Sequence, residues 1–154
     1  MAEGPPDQTL VIHTQYIKDL SFENPNAPGI FTNQNNQQPA LNISLDVRST
    51  KLSDRTFEVV LTLRAQATTA ETTAFLAELD YAGVVSVAAS VAEADVEPLL
   101  KVEAPRFLFP FARNMLAVVT REGGFPPLFV NPIDFESIHA RRKQSSESSV
   151  TAPA

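Results

Sequence analysis

Over positions 41–81 apolar and polar residues alternate with period two in three successive segments, and this pattern limits the fold more than any other feature of the chain. Leu41, Ile43, Leu45 and Val47 alternate with Asn42, Ser44, Asp46 and Arg48. Phe57, Val59, Leu61, Leu63 and Ala65 alternate with Glu58, Val60, Thr62 and Arg64, and Phe75, Ala77, Leu79 and Tyr81 alternate with Ala74, Leu76, Glu78 and Asp80. Successive side chains of an extended backbone point to opposite sides, so this period is that of a strand with one face buried. The connections STKLSD and TTAETT are short and polar, which predicts an antiparallel meander with one face packed inward and the other in water. Positions 9–22 open with similar alternation, with Leu10, Ile12 and Tyr16 on one parity, and read as a first strand.

The rest of the chain is irregular or helical in pattern. Positions 23–39, ENPNAPGIFTNQNNQQP, are rich in proline, asparagine and glutamine, which excludes a helix or a central strand. Most connections need only about 4–6 residues, so a loop this long is functional or disordered. Positions 84–101 are alanine-rich, carry Glu93, Asp95 and Glu97, and predict a first helix near their middle, interrupted around Pro98. A second helix is expected to start at Pro110, whose missing N–H would be unpaired at a helix start. It carries Phe111, Met115, Val118 and Val119 at helical spacing and stops at Gly123 and Gly124. FPPLFVNP reads as an extended connector, IDFESIHARRK as a short helix from near Asp134, and positions 1–8 and 141–154 as a flexible start and a disordered tail.

Several kinds of chemistry are excluded or disfavoured. The 154 residues, 44% of them hydrophobic, suit one domain with a real core, and the absence of cysteine removes disulfides, thiolate metal sites and thiol nucleophiles. No apolar run reaches the roughly 18–20 residues of a membrane span, and MAEGPPDQTL lacks the layout of a secretory signal, so a cytoplasmic protein without direct membrane insertion is expected. His13 and His139 have no metal spacing, and the two adjacent glycines follow a helix instead of opening one around a phosphate. Glu78 and Asp80 share a wet, flat strand face that cannot shift a carboxylate pKa, so no catalytic residue, metal or cofactor is expected and the chain reads as a non-enzyme.

Charge and aromatic content point toward binding. Before position 101 there are 13 acids against five bases, and afterwards seven bases and five acids. An acidic sheet region argues against nucleic acid and is either a solubilising surface or the receiver of a basic partner. Ten phenylalanines accompany no tryptophan, and six of them (Phe107, Phe109, Phe111, Phe125, Phe129 and Phe135) surround the proline-rich segments of the last third. A groove lined by aromatic rings between loop and helix would bind apolar segments with little sequence preference, at about 1.5–3 kcal/mol per buried side chain.

YIKDLSFENPNAP (positions 16–28), TAFLAEL (73–79), and FLFPFAR with GGFPPLFVNPIDF (107–113 and 123–135) resemble, in order, the signature segments of the SecB family of bacterial protein-export chaperones. The resemblance covers about positions 9–140. It implies an α+β fold, a four-stranded antiparallel sheet with helices packed on one face, assembled as a homotetramer that is a dimer of dimers. It further implies ATP-independent holding of unfolded precursor polypeptides, without cofactor, and their delivery to SecA. Asp19, Glu23, Leu76 and Glu78 match the SecA-binding positions, and strand parity independently places Leu76 and Glu78 on the wet face. Ala77, Leu79 and Tyr81 then point the other way, toward packing or assembly. For polypeptide binding the resemblance gives a groove between the long loop and the long helix, with Phe31, Phe111, Phe125 and Phe135 as its candidates. TNQNNQQP departs from the family in lacking a tryptophan and in length. Two alternatives remain: a SecB-like chaperone dedicated to one client such as an antitoxin, which would not retain the SecA-contact residues, or a small-ligand-binding α+β protein.

Overall fold

The computed structural model describes residues 8–32 and 38–150, the side chains as far as residue 146. Strands β1 (Leu10–Glu23), β2 (Ala40–Ser53), β3 (Thr56–Thr69) and β4 (Thr72–Val87) form one antiparallel sheet in the order β1-β4-β3-β2. The expected meander is β2–β3–β4, and β1 closes it against β4. At the β3–β4 turn Ala70 and Glu71 both have positive φ, 48° and 67°, the pair of left-handed positions that matches strand twist in a tight hairpin. Neither is glycine, so the turn costs roughly 1–2 kcal/mol per residue and is held by the long ladder on either side.

Strand lengths exceed the sequence reading, most of all in β4, which runs on to Val87 where a helical stretch was expected to begin. Val84, Val85 and Val87 favour a pleated backbone. Their alternation was illegible because Ala82, on the open face, is as buried as Val85 on the helix face. In β1 the single parity proposed for Leu10, Ile12 and Tyr16 does not hold. Irregularities between Ile12 and Thr14 and between Ile17 and Asp19 each insert one residue, so Leu10 and Ile12 lie opposite Val87 and Val85 on the helix side while Tyr16 lies opposite Ala82 on the open side.

The helical layer covers one sheet face. A single turn, α1 (Gly29–Thr32), interrupts the long loop expected to hold no helix. It fits because Pro28 precedes it and Pro39 lies beyond it, leaving its own four residues free of proline; residues 33–37, most of TNQNNQQP, fall outside the described residues. Helix α2 (Glu93–Pro98) passes through a π-helical segment, Leu99–Glu103, into α3 (Ala104–Glu122). The α-helix thus stops at Pro98, as expected, but the chain stays helical through the π segment, and Pro110 lies inside α3 instead of starting it. The wide turn after Pro98 and the presence of Pro105 at the start of α3 place two missing N–H groups at junctions. Pro110 is tolerated because it and Arg106, whose carbonyl it leaves unpaired, are both on the exposed side.

Leu108, Ala112, Leu116 and Thr120 carry the buried stripe of α3. The stripe recognised from sequence, Phe111 through Val119, is the outer one: Phe111 and Val118 are exposed and Met115 and Val119 half-buried. Gly123 and Gly124 end the helix as expected, Gly124 with φ 92°. The extended connector returns along α3, where Thr120 Oγ1 accepts the Leu128 N–H (2.9 Å) and Arg113 Nε donates to the Val130 carbonyl (3.0 Å).

Helix α4 (Phe135–Val150) begins where expected, with Asp134 accepting the Ser137 N–H at 3.1 Å. It continues across positions 141–150, which the sequence reading had assigned to a disordered tail; residues 151–154 lie outside the described residues. Its extension is held by the sheet edge, where Arg142 donates to Asp46 Oδ1 (2.8 Å) and to the Leu45 carbonyl (3.0 Å); Lys101 Nζ, from the π-helical segment, donates to the neighbouring Val47 carbonyl (3.0 Å). Two cations thus cap outward carbonyls of β2 and close part of that edge to strand pairing. Burial pulls the Lys101 pKa below its ordinary value, partly offset by Asp46 and Glu97.

Candidate functional site

The bulge at Lys18 shapes the open sheet face. Downstream of it Asp19 lies opposite Asp80, Ser21 opposite Glu78 and Glu23 opposite Leu76, which puts Asp19, Glu23, Leu76 and Glu78 on one face at one end of the sheet. Glu23, Leu76 and Glu78 line a shallow depression of about 310 Å³, with Arg64 and Gln66 of β3 and Ser44 of β2, and Asp19 is one residue pair further along. Leu76 is half-buried, and the only ion pair formed by these acids among the described residues is Glu78 with Arg64, at 3.2 Å.

From the Asp19–Asp80 pair onward the same face is closed by its own charges. Glu58 accepts hydrogen bonds from Tyr16 Oη and from Lys18 Nζ (2.6 Å). Asp80 accepts one from Thr62 Oγ1 (2.6 Å) and pairs with Arg48 at 3.4 Å. The Lys18 and Tyr16 hydrogen bonds hold the Glu58 carboxyl below its ordinary pKa, against burial, while burial and the Glu58 carboxylate push the Tyr16 phenol up to about 12.

On the helix side, Ala77, Leu79 and Tyr81 are all buried within the core, as their parity required. The four candidate phenylalanines separate. Phe31 and Phe125 come together with ring centroids 5.1 Å apart, and Phe125 continues through Phe75 (5.0 Å) to Phe22. Phe31 is exposed above a cavity of about 530 Å³ lined by Asn26, Ile30, Pro39, Phe125 and Pro126 among others, with no charged residue among the described ones that line it. Phe111 lies elsewhere, stacked on Tyr81 at 6.3 Å and half exposed. Phe135 is 2% exposed and packs edge-on to Phe109, so in the single chain it belongs to the core and not to the cavity beside Phe31. Its place as the first residue of α4, turned inward beneath the helix, explains why a surface role was misread.

Four positions that hold the aromatic cavity together were not recognised from sequence. Asn24 Nδ2 donates to the Gly123 carbonyl (2.9 Å) and Asn26 Nδ2 to the Thr73 carbonyl (2.8 Å), which ties the loop to the end of α3 and to β4. A side chain on Gly123 would collide with the Phe22 ring, and one on Gly124 would lie 2.8 Å from Phe31 Cζ. The signal was available in the asparagines flanking Pro25, since side-chain amides in such loops satisfy backbone groups that the irregular chain cannot.

The family model described as "Preprotein translocase subunit SecB" matches residues 3–146. A protein-export protein SecB from Parvibaculum lavamentivorans is 47% identical over 143 residues, covering 93% of this chain and 84% of the relative. One from Rhodospirillum rubrum is 44% identical over 149 residues, covering 97% and 91%. Among solved structures, a Mycobacterium tuberculosis SecB-like chaperone in complex with a ChAD peptide from an antitoxin shares the fold at a TM-score of 0.67 and 13% identity, covering 81% of this chain and 91% of that one. No helix among the described residues is long and apolar enough to cross a membrane. The family match and these relatives extend over nearly the whole chain, and the chain belongs to the SecB family of protein-export proteins.

Proposed function

We propose that this chain holds unfolded precursor polypeptides in the cytoplasm without ATP, as a homotetramer, and passes them to SecA for export. The observation that carries the reading is the uncharged cavity beside the exposed Phe31 ring, continuous with Phe125, Phe75 and Phe22. Rings without fixed polar partners favour apolar segments of any sequence, and each buried contact is worth about 1.5–3 kcal/mol. Phe31 and Phe125 are the client contacts of this groove. Phe111 is a separate contact, on the outer stripe of α3.

That stripe also supports assembly. Phe107, Phe111 and Val118 on α3, and Ile17 and Leu20 on the helix side of β1, are exposed in the single chain. A dimer of dimers would cover part of this surface and repeat the grooves around the assembly, so that one long client engages several at high effective concentration. The depression around Leu76 is the SecA-docking surface, with Asp19, Glu23 and Glu78 steering a basic segment and Leu76 supplying burial.

The test dilutes a slow-folding precursor from denaturant into the protein without ATP while light scattering follows mass. The reading expects four chain masses and suppressed aggregation, and expects Phe31→Ala to weaken suppression with little change in stability. A monomer that leaves aggregation unchanged would overturn it.

A further inference from the structure

Arg64 stands in the acidic depression where a partner's cation would have to sit. It projects from β3 in a row that crosses the sheet as Ser44, Arg64, Glu78 and Ser21. Its Nη2 lies 3.2 Å from Glu78 Oε1, and the two side chains are 63% and 42% exposed. Asp19 and Glu23 have no ion pair among the described residues, so of the three acids on this part of the face, Glu23 and Glu78 beside Leu76 and Asp19 further along, only Glu78 is already taken. A pair this exposed is screened by water and exchanges readily. A positive side chain set among the acids of a docking surface works against every cation that approaches it.

We propose that Arg64 is an internal competitor for the basic partner, and thereby determines how tightly and for how long that partner stays. The inference rests on the acidic end of the sheet being the SecA-docking surface. In the free protein Arg64 occupies Glu78. An arriving lysine or arginine gains its contacts to Asp19 and Glu23 in full but must exchange with Arg64 at Glu78, one guanidinium or ammonium for another, so that carboxylate adds little. The guanidinium left displaced then repels the bound segment. For a chaperone that must hand over its cargo and leave, a weakened contact speeds dissociation.

The test titrates SecA into the assembled protein and its Arg64→Gln, Arg64→Lys, Glu78→Gln and Arg64→Gln/Glu78→Gln variants, with Leu76→Arg as the control for the surface itself. Arg64→Gln is expected to bind about fivefold tighter, the equivalent of a surface ion pair of about 1 kcal/mol. Arg64→Lys should behave as the unmodified chain, and the gain should shrink when Glu78 is already Gln. Aggregation suppression should be the same in all of them. If Arg64→Gln binds equally or more weakly while Leu76→Arg abolishes binding, the docking surface stands and the competitor role is wrong. If Leu76→Arg binds as the unmodified chain does, or the unmodified chain fails to bind SecA, the docking reading falls and this inference with it.

Discussion

Toward one end of the open sheet face Glu58 takes hydrogen bonds from Tyr16 and Lys18, and Asp80, opposite Asp19, is held by Thr62 and Arg48; at the other end Glu23, which lacks an ion pair among the described residues, and Glu78 flank a half-buried leucine. The residue types are the same at both ends, and the difference lies in their partners. In the first, polar side chains roof Val60 and Ala82, which are 1% and 0% exposed although no helix covers them. That end is finished by its own chain. In the second, charge and apolar surface remain available, which is the arrangement a transient partner needs: acids to steer it and one leucine to be buried. A charged sheet face is therefore a docking site only where its charges are not already spent on one another.

Leu76→Arg should separate the two ends most strongly. It replaces the buried contact by a like charge for a basic partner, and SecA affinity should fall about 10- to 100-fold. Because the site is solvent-facing, the urea midpoint should stay within roughly 0.5 kcal/mol of the parent. The mirror experiment is Glu58→Ala at the closed end, which leaves Tyr16 and Lys18 without their acceptor. Stability should drop by about 1–2 kcal/mol in urea unfolding while SecA affinity changes less than about twofold.

Acid should distinguish the ends further. Glu58 is held below its ordinary pKa, chiefly by the Lys18 hydrogen bond and then by that of Tyr16, so its contribution is present above the unfolded carboxyl pKa of about 4.3 and is lost as pH falls through the folded value. Tyr16 works in the opposite direction: its folded pKa of about 12 gives stability that is complete below pH of about 10 and disappears as the pH climbs toward 12. Urea midpoints followed from pH 7 to 3 should fall less steeply in Glu58→Gln than in the parent. The smallest effect is expected from Glu23→Gln, a two- to threefold loss of SecA affinity seen mainly in the association rate and absent at high salt.

Much of this could be read in the residues. The parity of β2, β3 and β4 placed Leu76 and Glu78 outward and Ala77, Leu79 and Tyr81 in the core, because period two survives wherever one face is wet. It failed in β1, where bulges at two positions reset the alternation without any glycine or proline to mark them, so Tyr16 was put on the wrong side. The α-helix does end at Pro98, but the start of α3 is not legible at Ala104, because proline's local cost at Pro110, about 3 kcal/mol in a helix interior, is outweighed by the tertiary packing of Leu108, Ala112 and Leu116. The burial of Phe135 is not legible in sequence, because aromatic content near prolines does not say which ring faces inward. Helix α4 ran past its expected end because its partners, Asp46 and the Leu45 carbonyl, lie almost a hundred residues away in sequence.

Methyl NMR of the assembled protein, with SecA titrated in, reads both ends of the open face in one experiment and decides whether one end docks SecA and the other does not. Leu76 and Val84 both lie on that face of β4, Leu76 opposite Glu23 and Val84 opposite Thr14. The account predicts that the Leu76 methyl signals shift or broaden at the first additions while those of Val84 stay in place. Perturbation of Val84 with Leu76 unmoved, or of neither, would contradict it.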